Sequence, residues 1–186
     1  MIKNHLLTSI KMLAMFSFFC GVLYPIFVLI VAEKLFPIQA RGSLIFKGDG
    51  QIVGSRLIGQ KFVSDAFFHG RPSLSDYGTV PSAASNTSPA SSNFKFVIEA
   101  RAKALDERAN TQSDLIMASG SGLDPHITVA AALSQAGRIA AARSLPEATV
   151  RTLVEQRAVA SNPFNKNFRL VNVLELNLDL EGDHRQ

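Results

Sequence analysis

Hydrophobic and polar positions divide the chain into two unequal parts. From Met12 to Ala32 every residue is uncharged and almost every one is apolar. Twenty-one residues at helical rise cover roughly 30 Å, the thickness of a bilayer's hydrocarbon core. The run is longer than the apolar stretch of a cleaved leader, and Ile38-Gln39-Ala40 after it offers no small-x-small site. It also lacks the polar stripe of a core helix. The pattern predicts residues 1–11 as a tail, 12–32 as a transmembrane helix and 33–186 as one folded domain. Pro25 should kink the helix or sit against a neighbour that satisfies the freed carbonyl. Ser17 and Gly21, four apart, form a small-x-x-x-small pair suited to close helix packing.

Beyond the anchor, the pattern shortens. Leu44-Ile45-Phe46 and Gln51-Ile52-Val53 flank Lys47-Gly48-Asp49-Gly50, which reads as a hairpin within Gly42–Phe62. A loop rich in Ser, Ala, Thr, Asn and Pro then runs from Ser73 to Asn93, too long for an ordinary connection. A helix begins near Asn93, with Phe94, Val97, Ile98 and Leu105 on one face. An alanine-rich helix ends near Ser144; Asp124 with Pro125, or Thr128, caps its start. Pro146 opens another, with Val150, Leu153 and Val154 inward. Leu174, Leu176, Leu178 and Leu180 alternate with polar residues, which reads as a C-terminal strand. The expected fold is α+β: one membrane helix, then a domain of hairpins, about three helices and that strand.

Charge refines this picture. The chain carries +4 overall. Residues 1–41 hold Lys3, Lys11, Lys34 and Arg41 against Glu33, so the remainder is left at +1. A nearly balanced domain argues against a nucleic-acid footprint. Basic residues flank the apolar run on both sides, so their count does not orient it. A short basic tail before a first apolar run more often stays in the cytoplasm, which puts the domain outside. The single cysteine, Cys20, lies in the apolar run, so no intramolecular disulfide is available.

Candidate chemistry is sparse. The phosphate-cradling glycine loop with Lys-Ser/Thr is missing, and so is the Asp-Lys-Thr-Gly-Thr run that P-type pumps phosphorylate. Ser119, Ser121, Asp124 and His126 assemble on paper into a hydrolase triad, but no nucleophile elbow surrounds them. Asp124, His126 and His69 are a candidate metal set. Ser119-Gly120-Ser121-Gly122 could also form an anion-binding nest ahead of a helix. The favoured reading is that the glycines allow a tight path which the polar side chains satisfy. Arg71 is either an ion-pair partner within the domain or a contact to another subunit, and Asn86 and Pro89 are turn residues.

Four blocks, taken together, carry a family resemblance. They are Gly54-Ser55-Arg56-Leu57-Ile58-Gly59-Gln60, Phe68-His69-Gly70-Arg71-Pro72-Ser73, the ten residues Ala118–Ile127 through Gly122 and Pro125, and Val171–Leu178. In this order they resemble the C subunit of the Kdp-type potassium-transporting ATPase. The resemblance implies a non-catalytic accessory subunit of a bacterial inner-membrane import pump. It implies two partners beside membrane lipid: a channel-like subunit that selects potassium and a P-type subunit that hydrolyses ATP. It also implies a role in assembly, and a proposed one as a catalytic chaperone for ATP binding. No cofactor is expected on this chain itself, with ATP reached only through the ATPase subunit. Arg56, His69, Gly70, Arg71, Pro72, Asn86, Ser119, Gly120, Ser121, Gly122, Asp124, Pro125 and His126 become candidate partner contacts or structural positions. Ser17, Gly21 and Pro25 become candidates for packing in the membrane. The alternatives are a membrane-tethered nucleotide-binding regulator and a tethered hydrolase. The chain departs from the family pattern at Ala83, Ala84 and Ser88, where glycines are usual, which would make positive φ costly there. It departs again at Thr128-Val129, where Ser-Pro is usual.

Overall fold

The computed structural model describes residues 2–48, 50–105, 112–162 and 165–182. Two compact units divide the chain, residues 1–44 and 45–186.

The first unit is dominated by one apolar helix, Lys3–Leu35, 33 residues long. It therefore extends beyond the expected 12–32 at both ends and measures about 50 Å at regular helical rise. It comprises α1 (Ile2–Phe18), a π turn (Phe19–Leu23) and α2 (Tyr24–Leu35). The π turn answers the problem set by Pro25. A proline inside a helix lacks its N–H and crowds the carbonyl four residues back, here that of Gly21. The wider turn, with Tyr24 N–H donating to Phe19 O, re-spaces the carbonyls just ahead of the ring. Phe36, held out of the helical region ahead of Pro37, ends the helix. A short helix α3 (Pro37–Ala40) follows, and left-handed residues Gly42 and Ser43 turn the chain.

The second unit is a mixed α+β domain, as the pattern predicts. Strands β1 (Leu44–Phe46) and β2 (Ile52–Ser55) form the expected hairpin. Its turn is closed by Lys47 N–H to Gln51 O (2.8 Å) and Gly50 N–H to Lys47 O (2.9 Å); Asp49 of that turn lies outside the described residues. Helix α4 (Ser92–Ala104) begins at the expected place because the Ser91 hydroxyl accepts from Phe94 N–H. After α5 (Ser113–Ile116) comes β3 (His126–Thr128), which no run of alternation announced. Thr128 then caps α6 (Val129–Ser134) by accepting from Ala131 N–H, which decides between the two expected starts. The alanine-rich helix breaks at Gln135 and resumes as α7 (Ala136–Arg143), ending at left-handed Ser144. Helix α8 (Glu147–Arg157) follows Pro146 as expected. Strands β4 (Val159–Asn162) and β5 (Asn165–Asn172) complete an antiparallel sheet of order β3-β5-β4. Ile127 stands opposite Val171, and Val159 opposite Leu170.

The C-terminal alternation is not a strand. Residues Val173–Glu181 form helix α9, so the expectation of a strand is corrected. Asn172 Oδ1 accepts from the N–H groups of Leu174 and Glu175 and starts the helix abruptly after β5. The leucines look alternating because α9 is buried on two sides. Leu174 and Leu178, one turn apart, pack with Ile45 and Val53 of the hairpin. Val173, Leu176 and Leu180 join the main core, built with Phe68, Ile127, Ile139, Val150, Val154 and Val171. Among the described residues the domain holds six helices, α4 to α9, rather than about three.

Candidate functional site

The residues between Ser64 and Pro72 have no regular structure, yet Phe68 among them is fully buried. A coil segment through a core must find partners for its own amides. Two side-chain amides supply them. Phe68 N–H donates to Asn177 Oδ1 (2.7 Å), and Asn177 Nδ2 donates to Phe68 O (3.0 Å). One residue on, His69 N–H donates to Gln135 Oε1 (2.8 Å), and Gln135 Nε2 donates to His69 O (3.1 Å). Each amide thus copies the paired bonds of a β-ladder. Two arginines hold the approach. Arg138 donates to the carbonyls of Asp65 (2.6 Å) and Phe67 (3.0 Å). Arg143 donates to those of Ala66 (2.6 Å) and Leu180 (2.9 Å) and lies over the Phe67 ring.

His69 lines a cavity of about 320 Å³ with Phe62, Asp65, Leu115 and Arg138. Its Nε2 lies 3.1 Å from Ser64 O. Burial, then the Arg138 charge, lowers its pKa, against smaller opposing effects of the Ser64 carbonyl and Asp65. The unfolded chain therefore binds this proton more readily than the folded one. Stability from neutral His69 is complete above the ordinary histidine value and is lost as pH falls below it towards the folded value. Thermal melting of the purified chain should show that loss between neutral and mildly acidic pH. His69→Gln, which cannot be protonated, should flatten the slope, and an unchanged slope would refute this assignment.

The run Ala118–Ile127 forms a second cluster that is bound up in itself. Gly122 N–H donates to Ser119 O (3.3 Å), Leu123 N–H to Ser121 Oγ (3.1 Å) and Asp124 N–H to Ser119 Oγ (3.4 Å). Three successive N–H groups, of Gly122, Leu123 and Asp124, are thus taken by oxygens of the loop. Gly122 needs to be glycine: its φ is +70°, and an added Cβ would stand 3.0 Å from Ala83 O. Gly120, by contrast, has open space about it. The Asp124 carboxylate accepts from His126 N–H (3.0 Å) and lies 3.5 Å from His126 Nδ1. Its pKa is lowered, first by the side-chain hydrogen bond with His126, with Arg71 contributing least. Arg71 Nη1 stands 3.6 Å from Asp124 and 3.9 Å from Asp114, while Asp114 also accepts from Thr128 N–H (2.8 Å). Arg71 is therefore an ion-pair partner within the domain. Pro125 is buried, and its carbonyl accepts from Val173 N–H (3.0 Å).

The other candidates separate. His126 lines a different cavity, about 360 Å³, with Arg56, Arg157, Asn172 and Glu175, so the metal set with His69 is not assembled. No group of three or more His, Cys, Asp or Glu able to hold a metal occurs among the described residues. Arg56 pairs with Glu175 (3.0 Å), and its carbonyl accepts from Asn172 Nδ2 (2.8 Å). Gly70 has room for a Cβ at ordinary contact, 3.7 Å from the Tyr77 hydroxyl, which donates to Arg71 O. Pro72 is half-buried coil. In the long loop only Asn86, at φ 49°, is left-handed between Ser82 and Pro89. Asparagine tolerates that region, and Ala83, Ala84 and Ser88 do not enter it, so the expected cost of the missing glycines does not arise. In the first unit Ser17 is the next-to-last residue of α1, Gly21 lies in the π turn with open space around it, and Pro25 is the second residue of α2. Sequence reasoning missed Gln135, Asn177, Arg138, Arg143 and Asp114.

Comparison with known proteins places this arrangement. The sequence model of KdpC, described as "K+-transporting ATPase, c chain", matches residues 6–182. A potassium-transporting ATPase KdpC subunit of Gloeobacter violaceus is 42% identical over 180 residues, 96% of both chains. That of Synechocystis is 39% identical, covering 98% of this chain and all of the relative. That of Pseudomonas aeruginosa is 42% identical over 183 residues, 96% of this chain and 97% of the relative. A match of this extent, over both the apolar helix and the domain that follows it, shows that the chain belongs to the KdpC family, the c chain of the K+-transporting ATPase.

Proposed function

We propose that the chain is a non-catalytic accessory subunit of an ATP-driven potassium import pump. In this reading its helix anchors it once in the bacterial inner membrane, residues 1–11 stay in the cytoplasm and the domain works outside. Its partners are the potassium-selecting channel-like subunit and the ATP-hydrolysing P-type subunit. The observation that carries the reading is the family match across nearly the whole chain. The state of the polar loop supports it: Ser119, Ser121 and Asp124 all accept backbone N–H groups close by. A nucleophile or base held in this way positions a loop rather than a substrate. A domain outside the membrane has no route to cytoplasmic ATP, so any effect on nucleotide affinity would pass through the ATPase subunit. The domain's work is then assembly, by capping the outer entrance of the potassium-selecting subunit.

The test is purification of the tagged chain from potassium-starved cells in mild detergent. Two larger membrane proteins should accompany it, and recovery of the chain alone would refute the reading. The double variant Ser121→Ala, His126→Ala separates scaffold from enzyme: the purified complex should keep its ATP turnover. Single cysteines placed in the domain should react with an impermeant reagent added outside intact cells, and labelling only after lysis would overturn the orientation.

A further inference from the structure

The hairpin β1–β2 is apolar on both faces. Its inner face, Ile45 and Val53, packs on Leu174 and Leu178 of α9. Strand alternation then turns Phe46 and Ile52 the other way, and they are 49% and 60% exposed. A two-stranded sheet with one face on a core ordinarily keeps the other polar. Exposed apolar residues also fill the connection leading into it. Leu35 ends the apolar helix, and Phe36, Ile38 and Leu44 follow, all exposed. Eight residues separate Leu35 from Leu44. From Lys34 to Gly48 the sequence has no acidic residue and three basic ones, Lys34, Arg41 and Lys47. Lys47 lies 3.7 Å from Glu181, and both side chains remain more than a third exposed.

We infer that the outer face of this hairpin, with the connection Leu35–Leu44, rests in the headgroup region of the bilayer and is held by anionic lipid. The inference rests on the membrane-anchor reading above. Three features select lipid as the occupant. The apolar exposure is continuous along the chain with the membrane helix, so the hairpin is tied near the bilayer by a short covalent link. Interleaved aromatic, aliphatic and basic residues are the composition of an interfacial segment, in which side chains enter the acyl boundary and cations meet phosphates. The patch is also small. A stable protein interface buries about 800 Å² on each partner, far more than Leu44, Phe46 and Ile52 supply. A tether raises the effective concentration of bilayer at the hairpin, so weak partitioning suffices where a free domain would stay in solution.

The experiment uses the assembled complex and, in parallel, the full chain alone, both in lipid nanodiscs. In a Cys20→Ala background, single cysteines at Phe46→Cys, Ile52→Cys, Leu29→Cys and Val159→Cys carry an environment-sensitive fluorophore. The nanodiscs contain phosphatidylcholine with or without phosphatidylglycerol, and nitroxide lipids labelled either shallow or deep. Labels at positions 46 and 52 should lose most of their emission to the shallow nitroxide, more so with phosphatidylglycerol and less so in high salt. Position 29 should be quenched by the deep nitroxide and position 159 by neither. Quenching at 29 without quenching at 46 and 52 overturns the inference and leaves the anchor standing. No quenching at 29 overturns the anchor reading, and this inference with it. Quenching at 46 and 52 in the chain alone but not in the complex means that a subunit covers the face, which also overturns it. Equal quenching at 159 means that the whole domain adheres to lipid, and the hairpin has no special place.

Discussion

Phe68→Ala should destabilise the domain by about 3–5 kcal/mol, the range for emptying a fully buried aromatic site. The whole stability of a domain is only about 5–15 kcal/mol, so this change would remove a large share of it. Phe68 is completely buried and is among the largest side chains at the centre of the core. Its backbone is fixed at both N–H and C=O by Asn177. The segment therefore cannot slide to fill the cavity without giving up those bonds. Urea unfolding of the variant should show a lower midpoint with an unchanged slope. A loss below about 1 kcal/mol would mean that the site collapses freely, and the description of a pinned segment would be wrong.

The second large effect is expected at Asn177. Asn177→Leu nearly preserves volume but strips two partners from the buried backbone of Phe68. Each orphaned buried group costs about 1–3 kcal/mol, so the variant should lose about 2–6 kcal/mol in all. Asn177→Asp separates lost bonding from lost packing. Its carboxylate still accepts from Phe68 N–H but meets the Phe68 carbonyl with no hydrogen to offer. Burial and that carbonyl favour the protonated acid, so the folded pKa is raised. The defect should then shrink as pH falls through that raised value, because the acid form can donate. The leucine variant should show no such recovery. Equal pH profiles for the two variants would contradict the assigned bonds. The effects of Phe68→Ala and Asn177→Leu should not add, since the residues touch.

Local elements were legible in the sequence. The hairpin declares itself by two short apolar runs around glycines, α4 by its apolar face, and α8 by Pro146. Helix α9 was misread because two buried faces produce a leucine at every second position, the signature of a strand. A signal against that reading was present: Asn172 followed three residues later by Glu175 is a helix-start pattern, and Asn172 does cap the helix. Strand β3 is three residues long and carries almost no periodic signal. At the candidate site, the tight path of the Ala118–Ile127 run was legible from its glycines, and Gly122 does take a left-handed φ. The amide clamps were invisible. Asn177 and Gln135 meet Phe68 and His69 across 109 and 66 residues of sequence, and no local pattern marks a polar side chain with so distant a partner.

The joints around Phe68 and His69 have a consequence for where such a domain can work. Gln135 and Asn177 are uncharged, and Arg138 and Arg143 reach mostly to neutral carbonyls. Mobile ions weaken attraction between opposite charges far more than they weaken short contacts of this kind. The segment around Phe68 and His69 is thus secured by fasteners largely indifferent to the surrounding electrolyte. A subunit of a potassium-transporting ATPase joined in this way need not change shape there as the salt around it changes.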